Sequence, residues 1–187
     1  MRMPIEELRQ FYGEPSGRLV RRLLADRLEG AWGEADGCDV LGLGYATPWL
    51  GAFVGARRLI AAMPSGQGVE VWPRGARNRA VLVDDRALPF AAGSFDRVLV
   101  VHALEEADDV RALMAEAIRV LSPAGRIILV AAARGGLWAR AESTPFGSRT
   151  ASYTGSLCRA HGSMTAECPP LPPPTTMTIS SGERVTS

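Results

Sequence analysis

A chain of 187 residues, 47% of them hydrophobic, is long enough to bury a sizeable core and short enough to be one domain. Its 21 basic residues, every one an arginine, offset 20 acidic ones to leave a formal net charge of +1, which gives no electrostatic reason to expect a nucleic-acid or membrane partner. Cys38, Cys158 and Cys168 show no metal-ligand spacing, no apolar run approaches membrane-spanning length and the N-terminus lacks the pattern of a secretory leader, so the expectation is a soluble cytoplasmic protein without a metal centre.

Residues 5–32 carry apolar side chains at helical spacing among Arg and Glu, broken between Gly13 and Gly17, and predict two helices, the second over 16–32. The apolar CDVLGLGY that follows ends in glycines and reads as a first, central strand and its turn. Pro48 suits the first turn of a helix, where its missing N–H would lack a partner anyway, and predicts a helix over 48–56. Further strands are expected at 57–63, 79–84, 95–103 and 125–133, with a helix over 109–122 whose stripe Val110, Leu113, Met114, Ala117 and Leu121 belongs to the core. Asp108, Asp109 and Glu116 read as helix-start and solvated-face charges. Strands apolar on both faces and alternating with helices predict an α/β fold with a mostly parallel sheet covered on both sides.

The chain changes character near Gly147. Residues 148–187 are rich in Ser, Thr and Pro, include the run PPLPPP and hold no helical or strand period, which is the composition of a segment unable to offset its ordering entropy. The expected organisation is therefore an α/β domain over 1–147 and a disordered tail over 148–187. Either the tail is native, with a proline-rich recognition run, or the codons after about Gly147 are read out of frame. The second account is favoured, because the change falls inside a sheet and not at a domain boundary.

The segment VLVDDRALPFAAGSFDRVLVVHALEEADD, followed by a helix and RVLSPAGRIILV, carries the most information. Its order of strand, acidic loop, strand, helix, turn and strand resembles the second half of the class I S-adenosylmethionine-dependent methyltransferases, specifically their type 11 group. The resemblance implies a Rossmann-like methyltransferase sheet whose C-terminal antiparallel strands are missing here, and helices before the first strand that partly cover the cofactor. It also implies S-adenosyl-L-methionine as cofactor and Gly42, Gly44, Tyr45, Ala46, Met63, Asp84, Asp85 and His102 as the residues around it.

Each assignment has a competitor. In the family an acid-x-Gly-x-Gly-x-Gly turn lets the backbone approach the methionine part; here Gly42 stands at the acid, Gly44 at the first glycine, Ala46 at the second and Pro48 at the third. A tight strand-to-helix turn without a ligand is the other account. A bulky residue at Ala46 is expected to collide with ligand and not with core. A dinucleotide fingerprint would need glycine where Thr47 stands. Met63 or Pro64 occupies the place of the family's ribose-binding acid, and Glu70, in the loop beyond, either reaches the ribose or, as the favoured reading, is a solvated charge. The resemblance carries the adenine contact to Asp84, beside Asp85, against a solvated turn aspartate. Asp96 is expected to fix the entry turn of the fourth strand. His102 is either a general base or substrate contact, or a structural histidine bonded to the turn that starts with Glu105 and Glu106.

A sulfonium methyl is already electrophilic, so a base is needed only where the acceptor carries a proton, and His102 is the one catalytic candidate. The expected function is methyl transfer to an unidentified acceptor. The alternative is a non-catalytic binding or regulatory module, motivated by the eroded glycine turn and the absent ribose acid.

Overall fold

The computed structural model describes residues 3–105 and 107–131. Amphipathic patterning produces α1 (Ile5–Gly13) and α2 (Pro15–Trp32), with Pro15 at the start of α2, where its missing N–H costs no hydrogen bond. Then follow β1 (Asp39–Gly44), α3 (Thr47–Leu50), β2 (Arg58–Pro64), β3 (Ala80–Val83), β4 (Phe95–Val101), α4 (Val110–Val120) and β5 (Leu121–Val130). The strands form one sheet in the order β3-β2-β1-β4-β5, with every neighbouring pair parallel, as the two-sided apolar pattern predicts.

Each face of the sheet buries its own core. On one, Leu8 of α1, Trp32 of α2 and Trp49 of α3 pack with Val40, Leu59 and Leu99; on the other, Leu113, Ala117 and Val120 of α4 pack with Leu41, Val98 and Val100. β1 and β4 are thus central in the sheet and covered on both sides, which fixes where their C-terminal ends emerge. At the opposite edge Asp96 ties three strands together, its carboxylate accepting from the Asp39 N–H at 2.9 Å and from the Ser122 hydroxyl at 3.2 Å. Among the described residues no helix is long and apolar enough to cross a membrane.

Three features depart from expectation. The helix predicted over 48–56 is a single turn, because Gly51 and Gly55 disfavour its continuation and Leu50 is packed directly beneath it against Gly42. β5 starts at Leu121, directly after α4, and its register with β4 shifts between Phe95↔Leu121 and Arg97↔Arg126, which absorbs Ser122 to Gly125 as an irregularity. Glu116 is not a solvated charge: its carboxylate accepts from the Leu88 N–H at 2.7 Å and from Arg119 at 2.6 and 2.8 Å, while Arg119 also donates to the Leu88 and Phe90 carbonyls. This clamp holds the Leu88-Pro89-Phe90 loop on α4. Asp109 does cap α4, accepting from the Ala112 N–H at 3.0 Å. The expected domain boundary at 147, the missing antiparallel strands and the tail over 148–187 lie outside the described residues.

The Arg119 guanidinium beside Glu116 holds its carboxyl below the usual glutamate value. A group depressed in the folded state stabilises above its unfolded pKa and loses that contribution as pH falls through the folded value. Glu116→Ala is expected to lower stability at neutral pH by about 1 kcal/mol, the worth of the lost bond to the Leu88 N–H. In urea titrations the gap between variant and parent should close on acidification; a gap independent of pH would show that the carboxylate is not the source.

Candidate functional site

Strand order reverses between β1 and β4, and in an open α/β sheet the crevice above such a reversal, at the C-terminal ends of the strands, is the binding position. Gly44 closes β1 with φ +83°, and a Cβ there would lie inside the envelope of the Val101 carbonyl oxygen of β4 and 2.9 Å from the Ala103 methyl. The next N–H, that of Tyr45, donates to the same carbonyl at 2.8 Å. The fold alone therefore requires glycine at 44, whatever ligand lies above it. Gly42 is explained in the same way: a Cβ would come within 2.7 Å of both the Ala46 methyl and Leu50 Cδ1. Ala46 itself is fully buried. A larger side chain at 46 meets core, which corrects the expectation that it would meet ligand only.

His102 follows β4 at φ +50°, an unusual value for a residue with a Cβ. Its Nε2 lies 2.7 Å from the Tyr12 hydroxyl and its Nδ1 lies 2.9 Å from Glu105 Oε1. Both bonds are made when Nδ1–H donates to the carboxylate and Nε2 accepts from the phenol. Burial, and then the Glu105 charge, push the Tyr12 hydroxyl well above the usual tyrosine range, so it keeps its proton and donates. The Tyr12 ring stacks on Tyr45 with centroids 5.8 Å apart and meets Trp49 edge-on at 5.2 Å. The structural role expected of His102, a bond to the turn at Glu105, is present; Glu106 lies outside the described residues.

Gln67 completes the crevice. It is 4% exposed, its Nε2 donates to the His102 carbonyl at 3.0 Å, and its Oε1 is buried with no hydrogen-bond partner among the described residues. Met63, the last residue of β2 but one, is fully buried, and its sulfur accepts from the Glu70 N–H at 3.3 Å. Glu70 is folded inward, its carboxylate accepting from the Thr47 hydroxyl at 2.8 Å and facing Arg9 at 3.8 Å, with the side chain 15% exposed. This corrects its reading as a solvated charge. Beside it a cavity of about 420 Å³ lies between the Tyr45 turn, α1, α2 and the loop carrying Trp72 and Arg74.

Gly44, Tyr45 and His102 are thus brought together, with Tyr12 and Gln67 between them. Asp84 and Asp85 stand apart, past the end of β3, two strands away from β1 and so about 10 Å along the edge. Asp84 Oδ1 accepts from the Arg86 N–H at 2.9 Å and from its guanidinium at 3.2 Å in a half-exposed turn. Sequence reasoning did not mark Tyr12 or Gln67. Tyr12 reads as one more apolar position of α1, whereas the GQG context of Gln67, a polar side chain between glycines directly after an apolar strand, was an available signal.

A parallel 3-2-1-4-5 sheet with a glycine turn at the reversal defines a Rossmann-like nucleotide-binding fold of the methyltransferase type. A family model described as a methyltransferase domain matches residues 38–129. The chain is 33% identical over 96 residues to the demethylmenaquinone methyltransferase of Thermus thermophilus, across 51% of this chain and 37% of that one. A solved structure of an S-adenosylmethionine-dependent methyltransferase from Aquifex aeolicus superposes with a TM-score of 0.50 at 16% identity, over 66% of this chain and 70% of the other. These comparisons support a class I S-adenosylmethionine-dependent methyltransferase domain over residues 38–129, and such a domain implies S-adenosyl-L-methionine as cofactor. It spans 37% of the length of the curated relative it matches.

Gly44→Ala is expected to cost more than about 3 kcal/mol, combining strain at positive φ with a clash against the β4 backbone. Ala46→Leu should cost about 1–3 kcal/mol by overpacking beneath α3. Thermal melts without ligand test both; a parent-like melting temperature for either variant would remove the packing account of this turn.

Proposed function

We propose that the chain is a methyltransferase domain that binds S-adenosylmethionine over the β1–β4 crevice and transfers its methyl group to a small acceptor in a cytoplasmic setting. The observation that carries this reading is the buried, unpartnered Oε1 of Gln67 at the reversal point, since a buried acceptor is costly until a donor reaches it. That supports a ligand hydroxyl or amine beside Gln67, which offers a neutral acceptor in the loop beyond Met63 and Pro64, where the family's acid would stand. Gly42, Gly44, Tyr45 and Ala46 form the turn beneath the ligand, Met63 contributes the backbone at the end of β2, and Asp84 with Asp85 takes the adenine amine. When bound, the cofactor supplies an electrophilic methyl carbon.

His102 has the geometry of a base: its Nε2 already holds a hydroxyl at 2.7 Å, and Glu105 fixes the opposite ring nitrogen and would balance an added charge. The Tyr12 hydroxyl covers that nitrogen, and the His102 side chain is 8% exposed. A second reading, a binding or regulatory module without catalysis, draws on the same contact, because the Tyr12 hydroxyl occupies the nitrogen that an acceptor would use.

Calorimetry with S-adenosylhomocysteine tests the cofactor site. Binding by the parent chain is expected, with Gln67→Ala and Asp84→Ala each weakening it by roughly 1–3 kcal/mol, the worth of a hydrogen bond made by a buried or charged group. Absence of heat at millimolar ligand in a cooperatively folded sample would overturn cofactor binding. Tight binding without methyl transfer to any acceptor would favour the non-catalytic module.

A further inference from the structure

The geometry points to the cavity beside Tyr45 as a binding site for a small aromatic acid, a planar ring carrying a carboxylate, and makes that the class of the methyl acceptor. The second half of this statement rests on the methyl-transfer reading above. At about 420 Å³ the cavity is at the small-molecule end of binding-site sizes, roughly 300–1,000 Å³. Its walls combine three aromatic residues, Tyr12, Tyr45 and Trp72, with three guanidinium groups, Arg9, Arg21 and Arg74, and one carboxylate, Glu70.

The charges do not cancel. Glu70 is already committed, accepting from Thr47 at 2.8 Å and facing Arg9 at 3.8 Å, while Arg21 and Arg74 have no ion-pair partner among the described residues. The cavity therefore holds an excess of two positive charges in a chain whose formal net charge is +1. Arg9, Arg21 and Arg74 line the cavity together with Tyr45, and their charges ease the rise to about 12 that burial and Glu70 impose on its hydroxyl. A guanidinium presents a planar fork that matches a carboxylate edge and also lies flat on aromatic faces, so an aromatic acid uses both kinds of wall at once. A neutral ring leaves the guanidinium groups unmatched, and an aliphatic anion leaves the rings unused.

The remaining wall says why the ligand is an acceptor. Tyr12 lines this cavity with its ring, and its hydroxyl reaches His102 at 2.7 Å, so one side chain separates the anion site from the crevice over β1 and β4. The cofactor's own amino-acid carboxylate is the other source of the same chemistry, and a competition arm distinguishes the two.

The probes are para-hydroxybenzoate and its uncharged amide, titrated into the full chain at neutral pH and followed by calorimetry and by tryptophan fluorescence, with Trp72→Phe as the optical control. The acid is expected to bind saturably, at least about tenfold more tightly than the amide, and to lose that preference in high salt, since the guanidinium groups are exposed. The double variant Arg21→Gln/Arg74→Gln, whose substitutions are at exposed positions, should bind acid and amide alike while keeping the parent's affinity for S-adenosylhomocysteine within about twofold. Equal binding of the two probes by the parent, or an undiminished preference in the double variant, would overturn the anion site. Mutually exclusive binding of the acid and S-adenosylhomocysteine would give the cavity to the cofactor and overturn the acceptor assignment. Acid preference in a chain that binds no S-adenosylhomocysteine would leave the anion site standing and remove the methyl-transfer reading instead.

Discussion

The approach of β1 to β4 at Gly44 organises everything above the sheet. The two backbones come close enough that the Val101 carbonyl fills the space of a Cβ, and the same carbonyl accepts the Tyr45 N–H at 2.8 Å. With that bond made, the chain leaves β1 in one direction only. Thr47 and Pro48 then begin α3 directly over the strand, Leu50 drops onto Gly42, and the Tyr45 ring is held where α1 can stack on it. Position, turn direction and aromatic wall follow from one backbone contact, because a single residue without a Cβ can satisfy both the left-handed φ and the close neighbour.

His102 is the second convergence point, and its strain is offset by the completeness of its contacts. A non-glycine residue at positive φ costs on the order of 1–3 kcal/mol and persists where the surroundings over-determine it. Here the His102 N–H donates to the Val130 carbonyl at 3.2 Å, its carbonyl accepts from Gln67 at 3.0 Å, and the two ring nitrogens meet Tyr12 and Glu105. Those four partners belong to β5, the loop after β2, α1 and the turn after β4. The residue at the end of β4 is thereby tied to most of the elements bordering the crevice, and shifting any of them changes the environment of Nε2.

The sequence makes legible what is local or periodic. Two-sided apolar runs mark β1, β2, β4 and β5, the Leu113 and Ala117 stripe marks α4, and the glycine turn marks the ligand edge, since each depends on residues near one another in the chain. What was misread depends on partners far away. Glu70 and Glu116 look alike as surface charges, yet one is turned inward onto Thr47 and the other clamps the Leu88-Pro89-Phe90 loop, outcomes set by residues 23 and 28 positions distant. Tyr12 and His102 are 90 positions apart, and no spacing rule connects them. The length of α3 is not legible in the sequence, because Pro48 signals where a helix starts, while its end depends on two glycines and on a docking contact beneath it.

The choice of an amide in the loop after β2 becomes intelligible from the same long-range contacts. A carboxylate in the place of Gln67 would be 4% exposed and set against the carbonyl of a residue whose ring already faces Glu105, with Glu70 three positions further along the loop. Burying a third negative charge there would add desolvation to like-charge repulsion, and it could not donate to the His102 carbonyl as the amide does. An amide keeps an acceptor oxygen in the crevice while its N–H₂ ties the loop after β2 to β4. The Gln67 amide and the unusual backbone of His102 are two aspects of one arrangement, in which a neutral donor–acceptor side chain bridges the two strand ends that flank Gly44.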